Sequence, residues 1–166
     1  MLDKDQFLEL IKDVSFFKEF SVQEREYLAG ANFKAIRYHG GESIIREGDV
    51  DSSLYLLLRG TVGIYKNSGP SQPGADSSGK AFIATLKAGS VFGEISLISK
   101  KPRTTNVVAD EGEAIVLKIE GDFLYSLSPV FVTKFQQRLI EILVKRLDDM
   151  NNQLVEMARA NRQRER

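Results

Sequence analysis

The chain has no cysteine and only one histidine among its 166 residues. Disulfides and cysteine-metal sites are therefore excluded, and the composition fits a reducing compartment. There is no excess charge of either sign: lysine and arginine number 23, aspartate and glutamate 23. A balanced chain has no general attraction to nucleic acid or to an anionic membrane, although a local basic patch remains open to it. The apolar runs are far too short to span a bilayer, and the opening MLDKDQFLEL is acidic and amphipathic, unlike a secretory signal. These shortages point to a soluble, cytoplasmic protein. The length suits one domain with a sizeable core plus a helical extension.

What is present divides into three parts. Residues 1–32 carry helical spacing: Phe7, Leu8, Leu10 and Ile11 can share a face, with Asp3 or Asp5 as N-cap. The run VSFFKEFSVQEREYLAGA reads as a helix, a break and then a second helix capped by Ser21 with Glu24 three residues on, stopping at Gly30. Residues 33–121 change period. FKAIRYH, ESIIRE, SLYLLLRGTVGIYK, AFIATLK, SVFGE, TTNVVAD and EAIVLKIE are short, apolar and often β-branched, and glycine-containing turns separate them. Strands at this spacing, without intervening long helices, predict an antiparallel sandwich or barrel rather than a parallel sheet. The one low-complexity stretch, NSGPSQPGADSSGK at 67–80, reads as an exposed, mobile hairpin loop. In residues 122–166 helical spacing returns: a short helix broken near Pro129, then a long one. Ile140, Leu147 and Leu154 repeat every seven residues, as do Leu143, Met150 and Met157. They form a seam suited to a partner helix, with packing on the chain's own barrel as the alternative. The closing ARANRQRER reads as a frayed polar end.

The segment VFGEISLISKKPRTTNVVA, residues 91–109, joins two strand-like runs and carries the chemistry. Phe92 ends a strand, Gly93 permits an unusual dihedral, and Glu94 to Ser99 spans one or two helical turns before Pro102 ends them. Free amides at the start of a short helix favour an anion. Arg103 returns on the far side of the turn, where its fork can clamp two phosphate oxygens, and Thr104 and Thr105 add hydroxyl donors. An ionised Glu94 only accepts hydrogen bonds, so it suits a sugar hydroxyl rather than a phosphate. Singly, each residue has an ordinary explanation: a helix-dipole acid, a surface arginine or partner of Glu94, two strand threonines. Together they describe a ligand with an anionic phosphate beside a ribose hydroxyl.

The pattern FGEISL…KPRTTNVVA resembles the phosphate-binding cassette of the cyclic nucleotide-binding domain family, and GGESIIREGDVDSSLYLLLRGTVGIY resembles that family's glycine-rich core. The resemblance extends over about residues 14 to 155. It implies a mainly β fold, a jelly-roll barrel flanked by N-terminal helices and a long C-terminal helix. It also implies that Glu94 accepts the ribose 2′-hydroxyl, that Arg103 binds the exocyclic phosphate oxygens, and that Gly93, Ile95 and Ser96 assist through backbone and packing. Thr104 and Thr105 would contact phosphate or base. Phe92, Ile64 and Ile83 match the family's apolar pocket lining, and Arg146, Asn151 and Asn152 lie where its last helix reaches over the base. The implied ligand is cAMP or cGMP, with cAMP slightly preferred, and no cofactor or metal is implied.

The resulting expectation is binding without turnover. Hydrolysis of a cyclic phosphodiester usually needs metal-held water and a ligand cluster, and His39 in YHGG reads as a turn residue. The output would be closure of the C-terminal helix, passed to a partner or homodimer. No helix-turn-helix segment is visible after that helix, so a DNA-binding activator is disfavoured unless the chain is a fragment. The rival readings are a ligand-free jelly-roll scaffold for protein contacts, a regulatory fragment of a larger signalling protein, and a phosphodiesterase.

Overall fold

The computed structural model describes residues 4–30, 33–69 and 79–164. They form two compact units, one running through Leu127 and the other starting at Ser128.

The first unit opens with helix α1 (Lys4–Ile11), a single 3-10 turn at Ser15–Phe17 and helix α2 (Val22–Ala29). Asp5 lies inside the first turn of α1 and so is not its cap; Asp3 falls outside the described residues. Ser21 caps α2 as expected, because its hydroxyl accepts from the Glu24 amide and the Glu24 carboxylate accepts from the Ser21 amide. The apolar spacing buries Phe7, Ile11, Phe16, Phe17 and Phe20. Phe7 stacks on Phe33 at 5.5 Å between centroids, and Phe33 meets Phe123 edge-on at 5.3 Å, which fixes the helices to the start and end of the β region.

Eight strands follow: β1 (Lys34–His39), β2 (Ser43–Ile45), β3 (Leu54–Arg59), β4 (Thr61–Asn67), β5 (Lys80–Lys87), β6 (Val91–Phe92), β7 (Asn106–Ala109) and β8 (Glu113–Ile119). They pair antiparallel in two four-stranded sheets, ordered β1-β8-β3-β6 and β2-β7-β4-β5. This is the expected mainly β jelly-roll with flanking helices. Ile45, Tyr55, Leu57, Val62, Phe92, Val107, Ala109 and Val116 from both sheets form one buried cluster. The run SLYLLLRGTVGIYK changes sheets at Gly60, since β3 and β4 belong to different ones. Only glycine serves there: φ is +85°, and a Cβ would come within 2.2 Å of the Glu113 carbonyl oxygen. Strands β4 and β5 pair from Thr61–Lys87 to Asn67–Lys80, giving the expected hairpin. The expectation of a mobile loop rests on 70–78, which lie outside the described residues.

Three helices complete the chain: α3 (Glu94–Ser99), α4 (Gly121–Ser126) and α5 (Pro129–Arg164). Pro129 begins α5 rather than merely interrupting a helix, because the first turn needs no amide from it. Helix α5 runs on through Ala158 to Arg164, and residues 165–166 lie outside the described residues. Of the seam residues, Ile140, Leu147, Met150, Leu154 and Met157 are exposed and Leu143 is half-buried. Among the described residues no helix is long and apolar enough to cross a membrane.

Candidate functional site: a buried arginine beside a short helix

Strand β6 delivers the chain to Gly93, whose φ of +82° turns it directly into α3. A Cβ at this position would lie 2.8 Å from the Arg103 Nη1 and 2.9 Å from the Ser53 carbonyl oxygen. Glycine is therefore required twice, for the dihedral and for the approach of the guanidinium. Helix α3 places Glu94, Ser96 and Leu97 inward and leaves Ile95 and Ile98 exposed. It ends at Lys100 in the left-handed region (φ 58°), two residues before Pro102, so the stop is made by Lys100 and the proline only confirms it. The Lys100 Nζ sits 4.7 Å from the centre of the Tyr125 ring, which ties the end of α3 to α4.

Arg103 and Glu94 are 3% and 4% exposed. Arg103 is not a surface residue, and it forms an ion pair with Asp51, Nη2 donating to Oδ2 at 2.7 Å. Nη2 also donates to the Ser53 carbonyl at 2.7 Å, and Nη1 donates to the Gly93 carbonyl at 2.9 Å. The guanidinium lies 5.6 Å from the Tyr55 ring centre, and that ring stacks on Phe92 at 5.3 Å. The Arg103 Nε, fully buried, has no hydrogen-bond partner among the described residues. A buried unmatched donor costs about 1–3 kcal/mol unless something accepts from it.

Asp51 is held in turn. Its Oδ1 accepts from the Ser53 amide at 2.9 Å and hydroxyl at 2.7 Å, and Oδ2 accepts from the Tyr55 hydroxyl at 3.3 Å. Partial burial pushes the Asp51 carboxyl up, but hydrogen bonds from Arg103 and Ser53 and the guanidinium charge outweigh it and hold it well below the usual carboxylate range. Burial, then the charge of Asp51, pushes the Tyr55 phenol up. The main chain of the arginine is clamped by the same loop: the Gly48 amide donates to the Arg103 carbonyl and the Arg103 amide to the Asp49 carbonyl, both at 2.8 Å.

Gly93, Glu94 and Ser96 thus lie on the turn and first helical residues that Arg103 reaches back to, with Phe92 in the core just before it. Thr104 and Thr105 are half-buried directly after the arginine. Ile64 packs on the core cluster that contains Phe92. Ile83 does not join that cluster: it falls at a bulge in edge strand β5, between the partners of Ile64 and Tyr65, and is 54% exposed. Arg146 is half-buried, and Asn151 and Asn152 are exposed, on α5.

The profile of the cyclic nucleotide-binding domain matches residues 35–128, more than half of the chain. The chain belongs to that family. Cyclic GMP-binding protein C of Dictyostelium discoideum is 30% identical over 139 residues, covering 82% of this chain and 5% of that protein. The type II regulatory subunit of cAMP-dependent protein kinase of Drosophila melanogaster is 27% identical over 157 residues, covering 93% of this chain and 36% of that subunit. The chain therefore spans about a twentieth of the first relative and about a third of the second. Among solved structures, a cyclic nucleotide-binding domain from Methylobacillus flagellatus superposes with a TM-score of 0.73 at 26% identity, over 92% of this chain and 82% of that one.

The residue that reading the sequence missed is Asp51. A buried arginine demands a carboxylate, but Asp49, Asp51 and Glu94 were all within the two motifs and nothing local chose among them. The usable signal was DSS before a strand: aspartate two residues ahead of a serine forms a local turn and presents its other oxygen outward.

Proposed function

We propose that this chain is a cyclic nucleotide sensor that binds cAMP or cGMP at the β6–α3 turn without turning it over. The observation that carries the proposal is the Arg103 Nε, a buried cationic donor without a partner among the described residues. In this reading a cyclic phosphate oxygen accepts from that donor and shares the guanidinium with Asp51. Glu94 accepts from the ribose 2′-hydroxyl, and Gly93, Ile95 and Ser96 shape the turn. Thr104 and Thr105 donate to phosphate or base, and Phe92 and Ile64 supply apolar wall. The 54% exposure of Ile83 gives it no support as a wall residue.

The signal is a change in α5, the helix that carries Arg146, Asn151, Asn152 and the exposed seam. It requires two states of that helix that differ in nucleotide affinity, since a ligand shifts an equilibrium only by its differential binding. A second copy of the chain is the partner proposed for the seam. The greater length of the relatives supports the same module acting as the regulatory part of a larger cytoplasmic signalling protein.

Thermal unfolding with and without nucleotide tests the proposal. At a concentration of about 100 times Kd the bound form gains about 2.7 kcal/mol, a readily measured rise in Tm. An unchanged Tm with both nucleotides at millimolar concentration refutes it and leaves the scaffold reading. Unchanged nucleotide recovered after long incubation with divalent metals is the expected result; ring-opened product would make the chain an enzyme.

A further inference from the structure

Glu47 lies between β2 and the loop that clamps Arg103. Both of its carboxylate oxygens are used at the end of β4. Oε1 accepts from the Lys66 Nζ at 2.6 Å, and Oε2 accepts from the Asn67 amide at 2.8 Å. The Lys66 ammonium also donates to the Thr104 carbonyl at 2.6 Å. The Glu47 amide donates to Asn106 Oδ1 at 3.1 Å, and Asn106 Nδ2 returns to Asn67 Oδ1 at 2.9 Å. A closed ring of hydrogen bonds therefore joins residue 47, residues 66 and 67, and residues 104 and 106. The next two residues of the same loop, Gly48 and Asp49, hold the Arg103 main chain on both sides. Asn106 is buried and the Glu47 side chain is 18% exposed, so the ring is shielded from competing water.

We propose that Glu47, Lys66, Asn67 and Asn106 are positioning residues that set the backbone of Arg103 and Thr104 and, through it, the affinity for the nucleotide. The inference rests on the nucleotide reading above. A guanidinium aimed from a misplaced Cα loses the alignment that a phosphate needs, whereas its charge is unchanged. Lys66 is about half exposed, and an ion pair with such a partner adds little to global stability. Affinity and stability should therefore separate on mutation.

The test uses the full chain, its Glu47→Gln and Lys66→Arg variants, cAMP and cGMP as probes, and amide hydrogen exchange in the absence of nucleotide. In Glu47→Gln one acceptor oxygen and the negative charge are lost, so the Lys66 ammonium and the Asn67 amide can no longer both be satisfied and the hook on Thr104 weakens. The expected result is faster exchange at Gly48, Asn67 and Arg103, unchanged exchange in α2 and β8, and an affinity about tenfold weaker, as for other outer partners of a binding group. Lys66→Arg, which keeps charge and donors, stays near wild type. Wild-type affinity and exchange in Glu47→Gln overturn the proposal, and so does a uniform loss of protection, which makes Glu47 an ordinary structural residue. If the wild-type chain takes up neither nucleotide, the nucleotide reading fails, and exchange at Arg103 then decides whether the ring holds this segment.

Discussion

Arg103 uses three hydrogen bonds to be held in place and keeps its Nε donor unspent, while Asp51 balances its charge at the edge of the site. Two predictions belong at this scale. Gly93→Ala forces a side chain into the left-handed region against the guanidinium, and should cost about 1–3 kcal/mol in urea denaturation and remove nucleotide binding. Asp51 sets an acid limit. Its folded-state pKa is depressed, so its contribution is present above the unfolded value of about 3.9 and is lost as pH falls through the lower folded value. Urea midpoints should therefore drop on acidification below about pH 4, and Asp51→Asn should show a shallower drop from a lower starting stability. Its side chain is 35% exposed, so the effect is modest. Parallel acid limbs for the two proteins would contradict the pairing. Glu94, Arg103 and the glycine between strand and helix could be picked out from the sequence because their chemistry is local. For Asp51 the sequence offers a local turn but not its pairing, since 52 residues separate it from Arg103 and only the fold brings them together.

At the scale of elements, periodicity and capping located nearly every helix and strand. Ser21→Ala tests the clearest of these: loss of the capping box should cost about 1 kcal/mol in denaturant unfolding, without changing nucleotide affinity. What periodicity could not reveal is which strands pair. The run from Ser53 to Lys66 carries a turn at Gly60, but nothing in it tells that its halves belong to opposite sheets, with β3 pairing to β8 and β6. Ile83 was expected at the pocket wall from its match to the family, and such a match does not register the bulge that interrupts alternation along β5 at this residue or its 54% exposure. The end of α3 was assigned to Pro102 on general grounds, but Lys100 takes the left-handed conformation first, which a sequence does not announce for lysine.

At the scale of the whole molecule, the seam of α5 is the largest unspent feature. Its exposed Ile140, Leu147, Met150, Leu154 and Met157 repeat at coiled-coil spacing. If a second copy covers it, sedimentation should give a dimer, and the double substitution Leu147→Asp with Leu154→Asp should give a monomer that still binds nucleotide. A wild-type monomer both with and without ligand removes the dimer. Nucleotide sensing by this chain depends on whether the buried arginine at the β6–α3 turn receives a cyclic nucleotide phosphate. Calorimetric titration of the wild-type chain and of a folded Arg103→Ala variant with cAMP and cGMP tests this most directly. Saturable one-site heat from at least one nucleotide, abolished in the variant, is the predicted result; silence from the wild type with both, or equal heat from the variant, would contradict it.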